Sequence, residues 1–131
     1  MLYTGHGDAG YTHVIGGPSL LKCDARVEAL GALDEAQAHL GLARALLLGS
    51  PRAADIARVQ ADLRLLMADI AVVSGAPGFL TPVHLQALED DLRAWEGDAG
   101  GFRGFVAPGE TVPGAHLHLA RTVIRRAERQ I

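Results

Sequence analysis

Apolar residues recur at alternating four- and three-residue steps through Val59, Leu63, Leu66, Ile70 and Val73, the spacing of one helical face. The pattern predicts a helix over about 52–74, stopped by Gly75-Ala76-Pro77-Gly78. Upstream, residues 24–48 predict a longer helix. Asp24 is its N-cap, Glu28 lies in its first turn and Gly49-Ser50-Pro51 ends it. Leu30, Leu33, Leu40 and Leu47 keep helical spacing there, with Gln37 and Arg44 interrupting the stripe. Thr81-Pro82 reads as an N-cap followed by proline at the first helical position. The helix it opens is predicted to about Glu96, with Val83, Leu85, Leu88 and Leu92 available to the core. A glycine-rich turn over 97–101 leads through Phe102-Arg103 and residues 104–109 to a last helix. That helix is predicted from near Thr111 to the end, with a stripe of Leu117, Ala120, Ile124, Ala127 and Ile131. Residues 1–22, rich in Gly, Thr and His, read as an ordered loop or short irregular strand. With no strand alternation and no repeat, the expected fold is all-α: an antiparallel helical bundle with a Gly-rich N-terminal loop. One domain is expected over 1–131, the loop occupying 1–22 and the bundle 24–131.

Composition narrows the function classes. A chain of 131 residues is long enough to bury a core without disulfides or a structural metal. Its net charge of -3 gives no global case for nucleic-acid or membrane binding. Cys23 is the only cysteine, so no intrachain disulfide forms. The start lacks a charged region followed by an apolar run, and no uncharged apolar run approaches the roughly 20 residues of a membrane span. Cytoplasm is the expected compartment. Lys22 is the only lysine among 12 basic residues, which singles it out.

On the last helix His118, Arg121 and Arg125 share one face, flanked by Arg126 and Arg129. Neighbouring guanidinium groups beside an apolar stripe call for an answering group. Asp34 or Glu35 on the first helix can supply it, and so can a phosphate, which the planar Arg fork binds bidentately. A solvated basic helix end is the plain alternative. GHGDAG at 5–10 is glycine-rich but lacks the Gly-Lys-Ser/Thr end of a P-loop; its backbone N–H groups can still turn toward phosphate, and Asp8 can reach a magnesium ion. The six histidines show no metal-binding spacing, and no metal site is expected from them.

Three segments in register resemble the PduO-type ATP:cobalamin adenosyltransferases. YTGHGDAGYT (3–12) is similar to the family's N-terminal phosphate-binding stretch. KCDARVEALGALDEAQAHLGLAR (22–44) resembles its Arg-Val-Glu-Ala-x-Gly-x-x-Asp-Glu motif. FVAPGETVPGAHLHLARTVIRRAER (105–129) resembles its Phe-x-x-Pro-Gly-Gly, Leu-His-x-Ala-Arg and Arg-Arg-Ala-Glu-Arg signature. The resemblance runs the whole length of the chain.

It implies transfer of the 5'-deoxyadenosyl group of ATP to cob(I)alamin, with ATP, Mg2+ and cobalamin as the bound species. A homotrimer with active sites at subunit interfaces is implied, without nucleic-acid or membrane partners. By resemblance residues 1–22 form a nucleotide-binding loop. Thr4, Gly7, Asp8, Gly10 and Thr12 wrap the triphosphate there, and Lys22 and Arg26 add positive charge. Arg125 stabilises the leaving triphosphate, Arg121 pairs with Asp34 across the interface, and Glu128 and Arg129 help hold ATP. Phe105 covers the lower corrin face. The chain departs from the family pattern at Gly5, His6, Ala36-Gln37 and Glu110, and it is expected to lack the family's last helix. The alternative implied function is a catalytically impaired member that binds ATP or a tetrapyrrole as sensor, carrier or assembly partner.

Overall fold

A computed structural model describes residues 3–72, 78–101 and 104–131. Val73, the expected helix stop at Gly75-Ala76-Pro77, and Phe102-Arg103 lie outside the described residues. Two short strands, β1 (Tyr11–His13) and β2 (Ser19–Leu21), precede four helices: α1 (Ala25–Leu46), α2 (Pro51–Ala71), α3 (Pro82–Ala99) and α4 (Val112–Glu128).

The strands fall in the segment 1–22, read from sequence as an ordered loop or short irregular strand. They pair antiparallel in the register Tyr11↔Leu21, Thr12↔Leu20 and His13↔Ser19. Three residues per strand are too few for alternation to show in sequence. Between them Gly17 N–H bonds to Val14 O at 3.1 Å, and Gly16 takes φ +70°, a conformation glycine reaches without strain.

Each helix starts where a side chain or proline can satisfy its free N–H groups. Asp24 accepts the Arg26 N–H at 2.9 Å, and Ser50 accepts the Arg52 N–H at 3.2 Å. His84 Nδ1 accepts the Thr81 N–H at 3.1 Å. Thr111 Oγ1 accepts the Gly114 N–H at 3.1 Å, and a Cβ on Gly114 would sit only 2.8 Å from that oxygen, so a side chain there would have to displace the hydroxyl. α3 runs through Gly97 to Ala99, beyond the expected end near Glu96, and closes on Gly100 in the left-handed conformation. α4 ends at Glu128 instead of running to the C-terminus.

The core sits mainly between α1 and α4. Ala32, Ala36 and Ala43 of α1 join Ala120, Val123 and Ala127 of α4 in one buried cluster, which Leu33, Leu40, Ile56 and Leu63 complete. A seam of alanines lets two helix axes approach closely, which larger side chains would prevent. Leu117 and Ile124 pack at its edge, as the stripe predicts, while Ile131 is 73% exposed and does not belong to it.

The interruptions in the α1 stripe have a structural use. Gln37 Nε2 donates to Gln60 O at 2.8 Å, and Gln60 Nε2 donates back to Gln37 O at 3.1 Å. Arg44 Nη1 donates to Gln60 Oε1 at 3.0 Å. Gln60, 9% exposed, is thereby satisfied and fixes the register of α2 on α1.

α3 differs from expectation. None of its residues is buried, and Val83, Leu85, Leu88 and Leu92 are exposed. It is held to α2 by polar side chains. Trp95 Nε1 donates to Asp55 Oδ2 at 2.8 Å, Arg58 forks onto Asp91 at 2.7 and 3.1 Å, and Arg52 pairs with Asp98 and lies 4.7 Å over the Trp95 ring. The Trp95 hydrogen bond, with help from Arg58 and Arg52, holds the Asp55 carboxyl below the usual carboxylate range against the opposing effect of burial.

Candidate functional site

The N-terminal loop is built from successive turns. Asp8 N–H bonds to Gly5 O at 3.1 Å, and Gly10 N–H to Gly7 O at 3.2 Å. Gly5 takes φ +69° and Gly10 φ +85°, so the departure at Gly5 coincides with a backbone that favours glycine. Tyr3 Oη donates to Asp8 Oδ2 at 2.9 Å, and Lys22 N–H bonds to Gly10 O at 2.9 Å. The Lys22 side chain lies across the loop: a Cβ placed on Gly7 would be 3.1 Å from its Nζ. The hairpin β1–β2 therefore returns the chain so that its single lysine covers Gly7, with Asp8 and Gly10 alongside. Thr12, in β1, is half-buried, and Thr4 is exposed.

Arg26 follows in the first turn of α1. It lines a cavity of about 530 Å³ with Asp24, Ala29, Asp69, Ile70, Gln130 and Ile131, where the start of α1 meets the ends of α2 and α4. At that end Arg129 caps α4, its Nη1 donating to Arg125 O at 2.8 Å. The exposed side chains of Arg125 and Glu128 are on the same last turns. The loop, Lys22, Arg26, Arg125, Glu128 and Arg129 thus gather at one end of the bundle.

Arg126, not Arg121 or Arg125, takes Glu35 as its ion-pair partner. Asp34, Arg121 and Arg125 are exposed and form no ion pair with one another or with any other described residue. Phe105, 96% exposed, precedes α4 by seven residues. From Val112 to Arg125 the helix rises about 20 Å, so the segment that carries Phe105 joins α4 at the end opposite Arg125. One chain gathers the loop and the charged end of α4 and leaves Phe105 exposed.

Sequence reasoning missed Gln60, whose role depends on partners 23 and 16 residues away. It also missed the approach of His39 to His116, which joins α1 to α4. The Asp8 contact from Tyr3 had a signal, an aromatic hydroxyl five residues from a loop carboxylate, that was not used.

The family model for cobalamin adenosyltransferase matches residues 2–131. A corrinoid adenosyltransferase of Bacillus subtilis (strain 168) is 36% identical over 135 residues, covering 99% of this chain and 69% of that protein. The corrinoid adenosyltransferase PduO of Citrobacter freundii is 33% identical, covering 99% of this chain and 40% of that protein. Among solved structures, a variant PduO-type ATP:corrinoid adenosyltransferase from Lactobacillus reuteri, complexed with cobalamin and ATP, superposes with a TM-score of 0.84 at 30% identity. That match covers 99% of this chain and 75% of the other. Agreement in sequence along the whole chain, and in fold with a structure of the same kind, means that this chain belongs to the cobalamin adenosyltransferase family.

Proposed function

We propose that the chain transfers the 5'-deoxyadenosyl group of ATP to cob(I)alamin. In this reaction the cobalt(I) electron pair attacks C5' of the ribose. A cobalt–carbon bond forms, the C5'–O bond breaks, and the electron pair of that bond leaves with triphosphate. No nucleophile from the protein is needed, so the residues supply position and charge. The observation that carries the reading is the pairing of a lysine-covered glycine loop with an uncommitted Arg125, within a match over the whole chain.

Each side chain has a task in this scheme. Lys22 and Arg26 neutralise triphosphate held by the N–H groups and hydroxyls of Thr4, Gly7, Gly10 and Thr12. Arg125 receives the charge that develops on the leaving group. Glu128 and Arg129 fix the end of α4 on which Arg125 stands. Phe105 packs on the lower corrin face and excludes water and a lower axial ligand, which favours the reduced metal. Mg2+ fits as a companion of ATP. Such an ion takes one or two carboxylates and phosphate oxygens, Asp8 stands in the loop to supply one, and no group of three His, Cys, Asp or Glu side chains converges among the described residues.

The active assembly is a homotrimer with sites between subunits. Asp34 and Arg121, both exposed and unmatched by each other within the chain, pair across that interface. This arrangement also lets Phe105 of one subunit and the basic end of another serve one site. Among the described residues no helix is long and apolar enough to cross a membrane.

The test is anaerobic adenosylation with ATP, Mg2+ and chemically reduced cobalamin, followed by absorbance. Turnover above a protein-free control is expected. Arg125→Ala is expected to abolish turnover and leave the melting temperature within a degree or so of the parent, since the side chain is exposed. Normal turnover by Arg125→Ala would remove it from the site. ATP or corrinoid binding without turnover in the parent would favour the impaired, carrier-like alternative.

A further inference from the structure

His39 of α1 and His116 of α4 have no task in adenosyl transfer, yet they face each other. Their Nδ1 atoms are 3.5 Å apart. The ring centroids are 5.7 Å apart and the ring planes differ by 24°. The centroids are thus farther apart than the nitrogens by about the sum of two ring radii, so the rings meet edge to edge through Nδ1. Both residues are half-buried.

Two neutral imidazoles placed this way satisfy each other poorly. One must donate and the other accept, and 3.5 Å is at the long limit of such a contact. If both carry their proton on Nε2, two lone pairs meet across a gap. A divalent ion binds histidine nitrogen at about 2.0–2.1 Å, so tetrahedral geometry requires two nitrogens about 3.4 Å apart. The observed separation matches that bite, and small ring rotations aim both lone pairs at a common point. The backbones beneath are rigid: His39 lies beside buried Ala36, Leu40 and Ala43, and His116 is one turn before buried Ala120.

We propose that His39 and His116 form a two-imidazole site for a borderline divalent transition-metal ion of the Zn2+ type, clipping α1 to the first turns of α4. No third His, Cys, Asp or Glu joins them among the described residues, so water completes the coordination and the site is open. Nitrogen ligands select against Mg2+, which takes oxygen. The bound ion fastens the start of α4, just after the segment carrying Phe105. Histidine spacing could not reveal this site because its two ligands come from helices 77 residues apart in sequence.

The experiment is equilibrium dialysis of the full chain against Zn2+, with thermal melts in Zn2+ or Mg2+. One Zn2+ per chain is expected, with a melting temperature that climbs with Zn2+ and not with Mg2+. His39→Phe and His116→Phe keep a ring's bulk and remove its nitrogens. Each is expected to weaken Zn2+ binding by about tenfold or more and to lose the thermal response. His6, His13, His84 and His118 remain in both variants, so the loss isolates the pair. Wild-type Zn2+ affinity in either variant, or no Zn2+ binding by the parent, would overturn the proposal. Should a variant fail to fold, imidazole nitrogen NMR of the parent decides: Zn2+ must shift Nδ1 of His39 and His116, and shifts confined to other histidines refute the site. None of these readouts depends on adenosyl transfer.

Discussion

Gly7 and Gln60 show how single positions divide between chemistry and stability. A Cβ on Gly7 would press on the flexible end of Lys22, at 3.1 Å from Nζ and 3.2 Å from Cε, and would make an ordinary contact with Tyr11 O at 3.5 Å. The lysine can move aside, so Gly7→Ala is expected to leave the melting temperature nearly unchanged and to raise the KM for ATP several-fold. Steady-state kinetics with varied ATP checks this, and an unchanged KM would mean that Lys22 does not work from its position over Gly7. Gln60→Leu has the opposite profile. It removes the two hydrogen bonds of the Gln60 side chain, to Gln37 O and from Arg44, and keeps the Gln37 Nε2 bond to the Gln60 backbone oxygen, at a cost of about 1–3 kcal/mol, measurable by urea unfolding. Much of the candidate site was legible because loop glycines, the lone Lys22 and the arginines of α4 are distinctive residue types at fixed spacing. Which arginine takes Glu35 was not legible. Arg125 and Arg126 are adjacent in sequence, and only the rotation of α4 against α1 gives the carboxylate to Arg126. Gln37 read as an interruption for the same reason: its partner is on another helix.

The four helices were legible from period, caps and breakers, to within a few residues at their ends, because Asp24, Thr81 and Thr111 each mark a start and Gly49-Ser50-Pro51 separates α1 from α2. The burial of α3 was not, since its apolar positions look the same in sequence whether or not a neighbour covers them. α3 stands on α2 through Asp55, Trp95, Arg52, Arg58, Asp91 and Asp98, and between the helices an apolar groove of about 180 Å³ is lined by Ile56, Val59, Leu88, Leu92 and Trp95. Polar fastening of this kind is sensitive to acid. The folded-state pKa of Asp55 lies below its ordinary 3.8, so its contribution is fully present above that value and is lost as pH falls through the folded pKa. Trp95 is the only tryptophan, and its emission therefore reports on this contact alone. Acidification below about pH 4 is expected to shift that emission to the red as α3 loosens. In Asp55→Asn, which keeps an acceptor oxygen but no titrating charge, the transition assigned to Asp55 is expected to vanish. An identical acid transition in that variant would assign it to another carboxylate.

At the scale of the whole molecule, the arrangement of charge makes the proposed assembly testable. Glu35 is consumed within the chain by Arg126, whereas neighbouring Asp34 is exposed and Arg121, on the facing helix, has no ion-pair partner among the described residues. An exposed carboxylate and guanidinium gain little from each other in water, about 0–1 kcal/mol. Enclosed in an interface they are worth more, and removing one partner leaves the other as an unpaired buried charge. The proposed trimer therefore predicts an asymmetric set of outcomes. Asp34→Arg alone and Arg121→Asp alone are each expected to shift the protein toward monomer in sedimentation, because each places like charges in contact at every interface. The double variant, Asp34→Arg with Arg121→Asp, restores an opposite pair at each interface and is expected to recover the trimer. An effect on the monomer's own fold cannot mimic this pattern, since both side chains are exposed and neither pairs with the other within the chain. If both single variants sediment as the parent does, the two residues do not meet across an interface. If all three variants are monomeric, the interface needs these residue types for more than their charge. Recovery of assembly together with turnover would tie the site to the interface, and recovery of assembly alone would separate the pair's role in holding subunits from any role in catalysis.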